Sequence, residues 1–127
     1  MEKIGWKNPV QILTDGGEVM DYLKGDGQYE DRSRYPFPSV MFIDIKMPRV
    51  NGFEVLKWLK EHEQCKVVPT IVFSSSDEPE DIERAYQLGA NAYFVKPATA
   101  DKLERMLRCA YDFWGLCAKP RVPVKCV

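Results

Sequence analysis

The sequence predicts a single α/β domain in which helices cover a parallel β-sheet. Short apolar runs alternate along the chain with segments of helical periodicity, a pattern typical of strand-and-helix units. The run at 40–45, VMFIDI, is apolar except for one aspartate, which is typical of a strand covered on both faces. A chain of 127 residues suits one such domain, and it buries enough surface to fold without metal or disulfide bonds.

The predicted strands and helices alternate in order. The strands are predicted at 10–14, 40–45, 70–74 and 92–95. The helices are predicted at 17–24, 52–61, 80–88 and about 100–116. The last helix is the most clearly marked, because its apolar residues recur at steps of three and four and form one stripe. That stripe contains Leu103, Met106, Leu107, Ala110, Trp114 and Cys117.

Two segments lie outside this pattern. Residues 25–38 are polar and carry glycines and prolines without periodicity, so they are predicted to form a surface loop. Residues 118–127 are basic, and Pro123 lacks the amide hydrogen that a central strand requires. We therefore divide the chain into a domain at 1–117 and an extended C-terminal tail at 118–127.

Composition excludes several classes of partner. The chain has 18 Lys and Arg against 19 Asp and Glu, a formal charge of -1, and no block of basic residues. This balance argues against a nucleic-acid or membrane surface, and no apolar run approaches the roughly 18 residues of a membrane span. The amino-terminal segment, MEKIGWKNPV, does not resemble a signal peptide. We expect a cytoplasmic protein without nucleic-acid or membrane partners.

The cysteines point to the same compartment. Cys65, Cys109, Cys117 and Cys126 contain no C-x-x-C pair and are accompanied by a single histidine. This spacing matches neither a zinc site nor the disulfide framework of a small secreted domain. We predict four reduced thiols.

Three polar side chains follow the predicted strands at the points where those strands end. They are Asp44, Ser74 and Lys96. In a parallel sheet all three ends lie at the same edge, where open α/β sheets bind their ligands. The sequence therefore predicts a site in which a carboxylate, a hydroxyl and an ammonium group meet.

These residues lie in segments that resemble the receiver domains of two-component response regulators. FIDIKMPRVNGFEVLKWL is similar to the phosphoacceptor segment of that family, and SSSDEPEDIERAYQLGANAYFVKP extends the similarity. The joint spacing of D-x-x-M-P, the serine and K-P is more specific than any one motif. The resemblance runs from about Glu2 to Trp114 and is strongest to small single-domain receivers, including those associated with cyanobacterial phytochromes.

The resemblance implies a role for each matched residue. Asp44 is the expected phosphoacceptor, and Ser74 and Lys96 are expected to contact the phosphoryl group. Tyr93 matches the switch aromatic residue. The backbone carbonyl of Lys46 is expected to bind Mg²⁺ beside Asp44. The structural positions of the motif are matched by Pro48, Gly52 and Pro97.

The resemblance also implies the fold and the partners. The family has a flavodoxin-like parallel sheet with helices on both faces, and it carries phosphoryl groups in a phosphorelay rather than acting as an enzyme. A histidine kinase or a phosphotransfer protein is the expected partner. Output is expected through protein contacts made by the last strand and the last helix. Tyr93 and residues 100–114 map to that surface.

The chain departs from the family at its amino end. Receivers begin with a central strand that ends in an acidic pair and is followed by a helix, but EKIGWKN resembles only the end of that helix. Asp15, which follows predicted strand 10–14, is expected to lie too far to the side to replace the pair. We therefore expect impaired Mg²⁺ binding and impaired phosphorylation of Asp44.

The missing strand leaves an apolar face that must be covered. Strand 10–14 pairing directly with 40–45 leaves one sheet face short of a helix. The tail could take the place of the missing central strand, but Pro123 disfavours this arrangement because proline cannot donate a hydrogen bond within a sheet. We favour a homodimer, in which a second copy covers the face.

Other interpretations of the predicted site and of the chain remain open. Asp44 and Lys96 form a plain ion pair in the structural alternative, and Ser75 with Glu78 has the spacing of a helix capping box. The chain is then a receiver-like interaction module that is never phosphorylated. A flavodoxin-like cofactor binder is the least favoured alternative, because no phosphate-binding loop follows the first strand.

Overall fold

The computed structural model describes Leu13 and residues 15–126. Within these residues three strands form a parallel sheet in the order β1-β2-β3. The strands are β1 at Met41–Asp44, β2 at Thr70–Ser74 and β3 at Ala92–Val95. The predicted strand at 10–14 lies mostly outside the described residues, as does the segment 1–9, so the predicted loss of a central strand and an acidic pair stays a prediction.

Four α-helices accompany the sheet in the described part of the chain. They are α1 at Gly16–Lys24, α2 at Gly52–Lys60, α3 at Pro79–Gln87 and α4 at Ala100–Leu116, with one 3-10 turn at Gly27–Tyr29. Each lies within one residue of its predicted bounds at both ends. No helix among the described residues is both long enough and apolar enough to cross a bilayer.

Side chains adjacent to each helix explain where the helices begin. Asp15 accepts hydrogen bonds from the amides of Gly17 and Glu18 at the start of α1. Asn51 and Glu54 form a reciprocal capping box at the start of α2. These caps satisfy amides that have no partner within the helix.

The predicted capping box at Ser75 and Glu78 is wrong. Glu78 itself is the residue before α3, and its side chain makes no capping hydrogen bond. Pro79 occupies the first helical position, where its fixed φ and missing amide are tolerated, so α3 begins at residue 79 and not at residue 76, as a cap at Ser75 would require. Ser76 makes the side-chain hydrogen bonds at the start of α3 instead. Its hydroxyl accepts from the Glu78 amide at 3.3 Å and donates to Asp81 at 2.6 Å.

The core lies on both faces of the sheet. One face, with Ile43 of β1 and Val72 of β2, packs against α1, α2 and α3. The opposite face, with Ile71 and Phe73 of β2, packs against α4. Alternation along the strands sends neighbouring side chains to opposite faces, so the predicted two-sided α/β arrangement is confirmed. From the predicted stripe, Leu103, Met106, Leu107, Ala110 and Trp114 make this contact.

The tail folds back onto the domain and is covalently attached to it. Residues 118–126 form neither helix nor strand. Cys126 is joined to Cys65, 61 residues earlier, by a disulfide bond. The prediction of four reduced thiols is therefore wrong for this pair, while Cys109 and Cys117 are free. Motif spacing gave no sign of the bond, because only the tertiary path of the tail brings Cys126 to the loop that contains Cys65.

Candidate functional site

The register of the sheet brings the three predicted polar residues to one edge. Asp44, the last residue of β1, pairs with Phe73, and Ser74, the last residue of β2, pairs with Val95. Lys96 directly follows β3, and its amide donates to the Ser74 carbonyl at 2.8 Å. The carboxyl ends of three neighbouring strands therefore carry the acid, the alcohol and the amine.

Asp44 and Lys96 are in direct contact. The Lys96 ammonium group donates to Oδ2 of Asp44 at 2.5 Å, and the Lys46 amide donates to Oδ1 at 3.0 Å. The side chains of Asp44 and Lys96 are 31% and 37% exposed, so a reagent in solution has access to the carboxylate. Asp44 is thus a partly exposed carboxylate held in contact with the ammonium group of Lys96.

Ser74 lies at the same edge, but its hydroxyl is engaged elsewhere. The residue is fully buried, and its Oγ accepts a hydrogen bond from the Ser76 amide at 3.1 Å. The structure therefore brings Asp44 and Lys96 together and directs the Ser74 hydroxyl toward the loop after β2. This hydrogen bond forms an ST-turn, a local structural role that differs from the capping box predicted for Ser75 and Glu78.

Tyr93 contacts the same loop from β3. Its hydroxyl donates to the Ser76 carbonyl at 2.9 Å, and its half-buried ring packs against the core. Ser76 is thus the meeting point of Ser74, Tyr93 and the start of α3. Sequence reasoning missed its importance, because the three-serine run offered no signal to distinguish one hydroxyl from the next.

The loop after Asp44 is closed by a short backbone contact. The Gly52 amide donates to the Ile45 carbonyl at 2.8 Å. A Cβ atom at position 52 would lie 2.4 Å from the Asp44 carbonyl oxygen, well inside van der Waals contact, so this position requires glycine. Pro48 lies within the loop, and its carbonyl accepts from the amides of Gly16 and Val50. Pro97, half-buried, follows Lys96 in the chain.

Asp15 lies outside this contact and has a partner of its own. The Nε of Arg49 donates to both oxygens of Asp15, at 2.9 and 2.7 Å. The Arg49 hydrogen bond is the main cause that lowers the pKa of Asp15, and the amides at the start of α1 add to it. Arg49 has a φ of 64°, an unusual backbone conformation for a residue with a side chain, and no sequence pattern predicts it.

The described residues do not form a complete magnesium site. Asp44 and the Lys46 carbonyl are oxygen ligands of the kind that Mg²⁺ prefers, in an octahedral arrangement usually completed by further carboxylates and water. No cluster of three potential metal-ligating side chains occurs among the residues that the structure describes. We therefore derive no chemical step that depends on the metal.

Comparison with known proteins identifies the family. Residues 7–108 match the response regulator receiver domain. The probable methanogenesis regulatory protein FilR2 of Methanothrix harundinacea is 30% identical over 113 residues, which are 89% of this chain and 70% of that protein. The response regulator Rcp1 of Synechocystis sp. is 31% identical over 103 residues, which are 81% of this chain and 68% of that protein.

Solved structures agree with the sequence comparison. Response regulator RPA3017, in red light signaling of R. palustris, superposes with a TM-score of 0.82 at 31% identity, covering 88% of this chain and 79% of that chain. The phosphorylated cyanobacterial phytochrome response regulator RcpA superposes with a TM-score of 0.80 at 31% identity, covering 86% and 76%. The chain belongs to the response regulator receiver domains of two-component signalling, which have the flavodoxin-like fold.

Proposed function

We propose that Asp44 is the phosphoacceptor of this receiver domain. The observation that carries the proposal is the contact between the Lys96 ammonium group and the partly exposed Asp44 carboxylate at the edge of the sheet. An isolated charge in an apolar strand is costly, and its pairing with a lysine at a ligand-binding edge favours a functional role.

The chemistry is an in-line phosphoryl transfer. One Asp44 carboxylate oxygen attacks phosphorus, an acyl phosphate bond forms, and the bond between phosphorus and the leaving group of the donor breaks. Negative charge spreads over the equatorial oxygens, and the Lys96 ammonium group neutralises one of them. Lys96 exchanges its contact with the carboxylate for a contact with the phosphoryl group.

Ser74 and Tyr93 supply the response to phosphorylation in this proposal. The Ser74 hydroxyl turns from the Ser76 amide to donate to a second phosphoryl oxygen. Ser76 then loses one of its hydrogen bonds, and Tyr93 is bonded to the carbonyl of that residue. Phosphorylation therefore changes the loop that precedes α3 and the environment of the tyrosine ring.

We further propose that this chain accepts phosphate poorly from small donors. Among the described residues Asp44 is the carboxylate that faces Lys96, and both of its oxygens already accept hydrogen bonds. The carboxylate oxygen that attacks phosphorus must first lose its hydrogen bond to the Lys46 amide or to the Lys96 ammonium group. Breaking the Asp44–Lys96 contact has an energetic cost, so Asp44 reacts slowly even though Lys96 then assists the transfer by neutralising a phosphoryl oxygen.

Output in this proposal is by protein contact. Exposed apolar side chains lie on α3, β3 and α4, namely Tyr86, Val95, Phe113 and Leu116. Receiver domains interact with histidine kinases or phosphotransfer proteins, and these elements form the proposed surface for such a partner. Protein interfaces have a polar rim and bury aromatic side chains near their centre, so exposed aromatic residues of this kind are the expected anchors.

Mass spectrometry of the intact protein after incubation with acetyl phosphate and Mg²⁺ tests the proposal. We expect a minor phosphorylated fraction in the wild type and none in Asp44→Asn. Asp112→Asn, which removes an exposed carboxylate from α4, is the matched control and should retain the wild-type fraction. A phosphorylated fraction that survives Asp44→Asn would refute the acceptor, and near-complete phosphorylation would refute the proposed weakness.

A second candidate function is a receiver-like interaction module without phosphorylation. The direct ion pair favours it, since Lys96 already has a partner in Asp44. Tryptophan fluorescence distinguishes the two functions. A change on adding Mg²⁺ and acetyl phosphate that is absent in Asp44→Asn supports the phosphoacceptor, and an unchanged spectrum with no phosphorylated mass supports the module.

The homodimer also remains a proposal. Its basis is that β1 is an edge strand of the sheet formed by the described residues, so a second copy of the chain can cover the sheet on that side. Static light scattering at micromolar concentration tests it. A mass of about twice the 14.7 kDa chain supports the dimer, and a stable monomer contradicts it.

A further inference from the structure

The C-terminal tail is anchored to the domain at several points besides its covalent link. The Cys126 amide donates to the Leu23 carbonyl at 2.8 Å, in the last turn of α1. Val122 packs against the main core. The tail therefore closes over the end of α1 and over the loop between α2 and β2, where Cys65 lies.

Arg32 fastens the same segment from the loop at 25–38. Its Nε donates to the Val124 carbonyl at 2.9 Å, and its Nη1 donates to the carbonyls of Tyr22 and Tyr29 at 2.8 and 2.9 Å. One guanidinium group thus joins the tail to the end of α1 and to the 3-10 turn. The loop predicted to be merely a surface segment holds the tail in place.

The two bonded cysteines differ from the two free ones. Cys65 and Cys126 are each 1% exposed, and both lie in the main core. Cys109 is exposed and Cys117 half-buried on or next to α4. Thiol exchange requires an attacking thiolate to reach a sulfur atom, so the bond is protected while the tail stays in place.

We propose that Cys65 and Cys126 are a reversible redox modification site that fastens the tail to the domain. A dithiol reductant attacks one sulfur atom, the other sulfur leaves as a thiolate and takes up a proton, and a second attack yields two protein thiols and the oxidised reductant. A small-molecule disulfide, such as oxidised glutathione, restores the bond by the reverse exchange. The oxidised chain holds the tail closed, and the reduced chain releases it.

Release follows because the remaining anchors are a few hydrogen bonds and the packing of Val122, each weaker than a covalent bond. The tail has no strand or helix of its own, and its hydrogen bonds to Arg32 and Leu23 compete with water once the segment opens. The covalent bond makes reclosure a local event rather than a search by a free chain end. Its loss therefore shifts the tail from closed to open and exposes the end of α1.

Alkylation of the cysteines tests the bond directly. The protein is purified without reductant, unfolded in guanidinium chloride so that burial no longer matters, and treated with iodoacetamide. We expect label at Cys109 and Cys117 alone, and at all four cysteines after dithiothreitol. Label at Cys65 or Cys126 before reduction would overturn the proposal, as would failure of oxidised glutathione to restore protection after the dithiothreitol is removed.

Hydrogen exchange of the tail tests the fastening. We expect the Cys126 amide to exchange at least about tenfold faster after reduction, because local opening then no longer meets a covalent restraint. Cys126→Ser should behave like the reduced protein, and Cys109→Ser should behave like the wild type. The domain should remain folded in both variants, which amide protection in β2 monitors. Equal exchange of the tail in the oxidised and reduced proteins would overturn the proposal.

Trypsin gives a second readout on the same samples. Arg121 and Lys125 are exposed in the tail, but cleavage requires the surrounding backbone to open. We expect cleavage at these residues to be several-fold slower in the oxidised protein than in the reduced protein or in Cys126→Ser. Equal rates would contradict a tail that the bond holds closed.

Discussion

The ammonium group of Lys96 lies 2.5 Å from Oδ2 of Asp44, although 52 residues separate them in the chain. The parallel register of the three strands produces this contact, because Asp44 ends β1 and Lys96 follows β3 on the other side of β2. The two side chains are about one-third exposed, so the pair stabilises the fold only modestly and remains accessible from solution.

Lys96→Ala should separate the chemical role of the pair from its structural role. We expect the rate of Asp44 phosphorylation to fall by about 100-fold, because a preorganised cation no longer neutralises the phosphoryl oxygens. The free energy of unfolding should change by less than about 1 kcal/mol, since the pair is solvent-accessible. Phosphorylation kinetics and urea unfolding measure the two quantities. A large loss of stability with unchanged kinetics would favour the purely structural reading.

Gly52→Ala should destabilise the protein by about 1–3 kcal/mol, because the new methyl group overlaps the Asp44 carbonyl and the Ile45 Cα. Gly115→Ala is the matched control. No atom lies within 4 Å of a Cβ at position 115, inside α4, so this change should be neutral or stabilise the protein by up to about 1 kcal/mol. Urea unfolding of both variants measures the difference. Equal stability of the two would show that the loop after Asp44 is not tightly closed.

Asp15 should contribute stability that depends on pH. Its pKa in the folded protein is lowered, chiefly by the hydrogen bond from Arg49, below the ordinary value of 3.8. The stabilisation is therefore fully present above the unfolded pKa, near 4, and is lost as the pH falls through the lower folded pKa. Asp15→Asn should have a lower free energy of unfolding than the wild type at pH 7. The difference between the two proteins, measured by urea unfolding, should become smaller as the pH falls.

Asp31 serves as the comparison for that experiment. The hydrogen bonds from Ser33 also lower the pKa of Asp31. Both aspartates therefore contribute to the pH dependence of the wild-type free energy of unfolding. Subtracting the Asp15→Asn curve from the wild-type curve isolates the contribution of Asp15. A difference between the two curves that stays constant from pH 7 down to pH 3 would contradict the assignment.

Tyr93→Phe should remove one hydrogen bond and leave the ring in place. The lost bond to the Ser76 carbonyl should cost about 1 kcal/mol of unfolding free energy. Tyr86→Phe, at a half-exposed position on α3, is the control and should have no measurable effect on stability. If the two variants have the same stability, the Tyr93 hydroxyl does not fix the loop before α3.

The sequence predicted the parts of this structure that depend on local pattern. Strands β2 and β3 and helix α4 have their predicted bounds, because their apolar runs and stripes are governed by short-range periodicity. The meeting of Asp44 and Lys96 was also predictable, since the ends of parallel strands share an edge. Contacts that depend on tertiary packing were not predictable, among them the Cys65–Cys126 bond and the hold of Arg32 on the tail.

The proposed site shows the same division. Motif spacing predicts that Asp44, Ser74, Lys96 and Tyr93 lie near one edge of the sheet, but it does not predict the direction of a hydroxyl group. Ser74 bonds to the Ser76 amide, and Ser76 rather than Ser75 supports the start of α3. Contacts of this kind depend on the tertiary geometry of the loop, which the run of three serines does not reveal.

Chemical mapping of the phosphorylated residue tests the central claim most directly. The protein is incubated with acetyl phosphate and Mg²⁺, treated with borohydride to convert an aspartyl phosphate to homoserine, digested and sequenced by mass spectrometry. We expect homoserine at position 44 in the wild type, and a loss of that product in Lys96→Ala. Homoserine at a different aspartate, or none at position 44 after prolonged incubation, would contradict it.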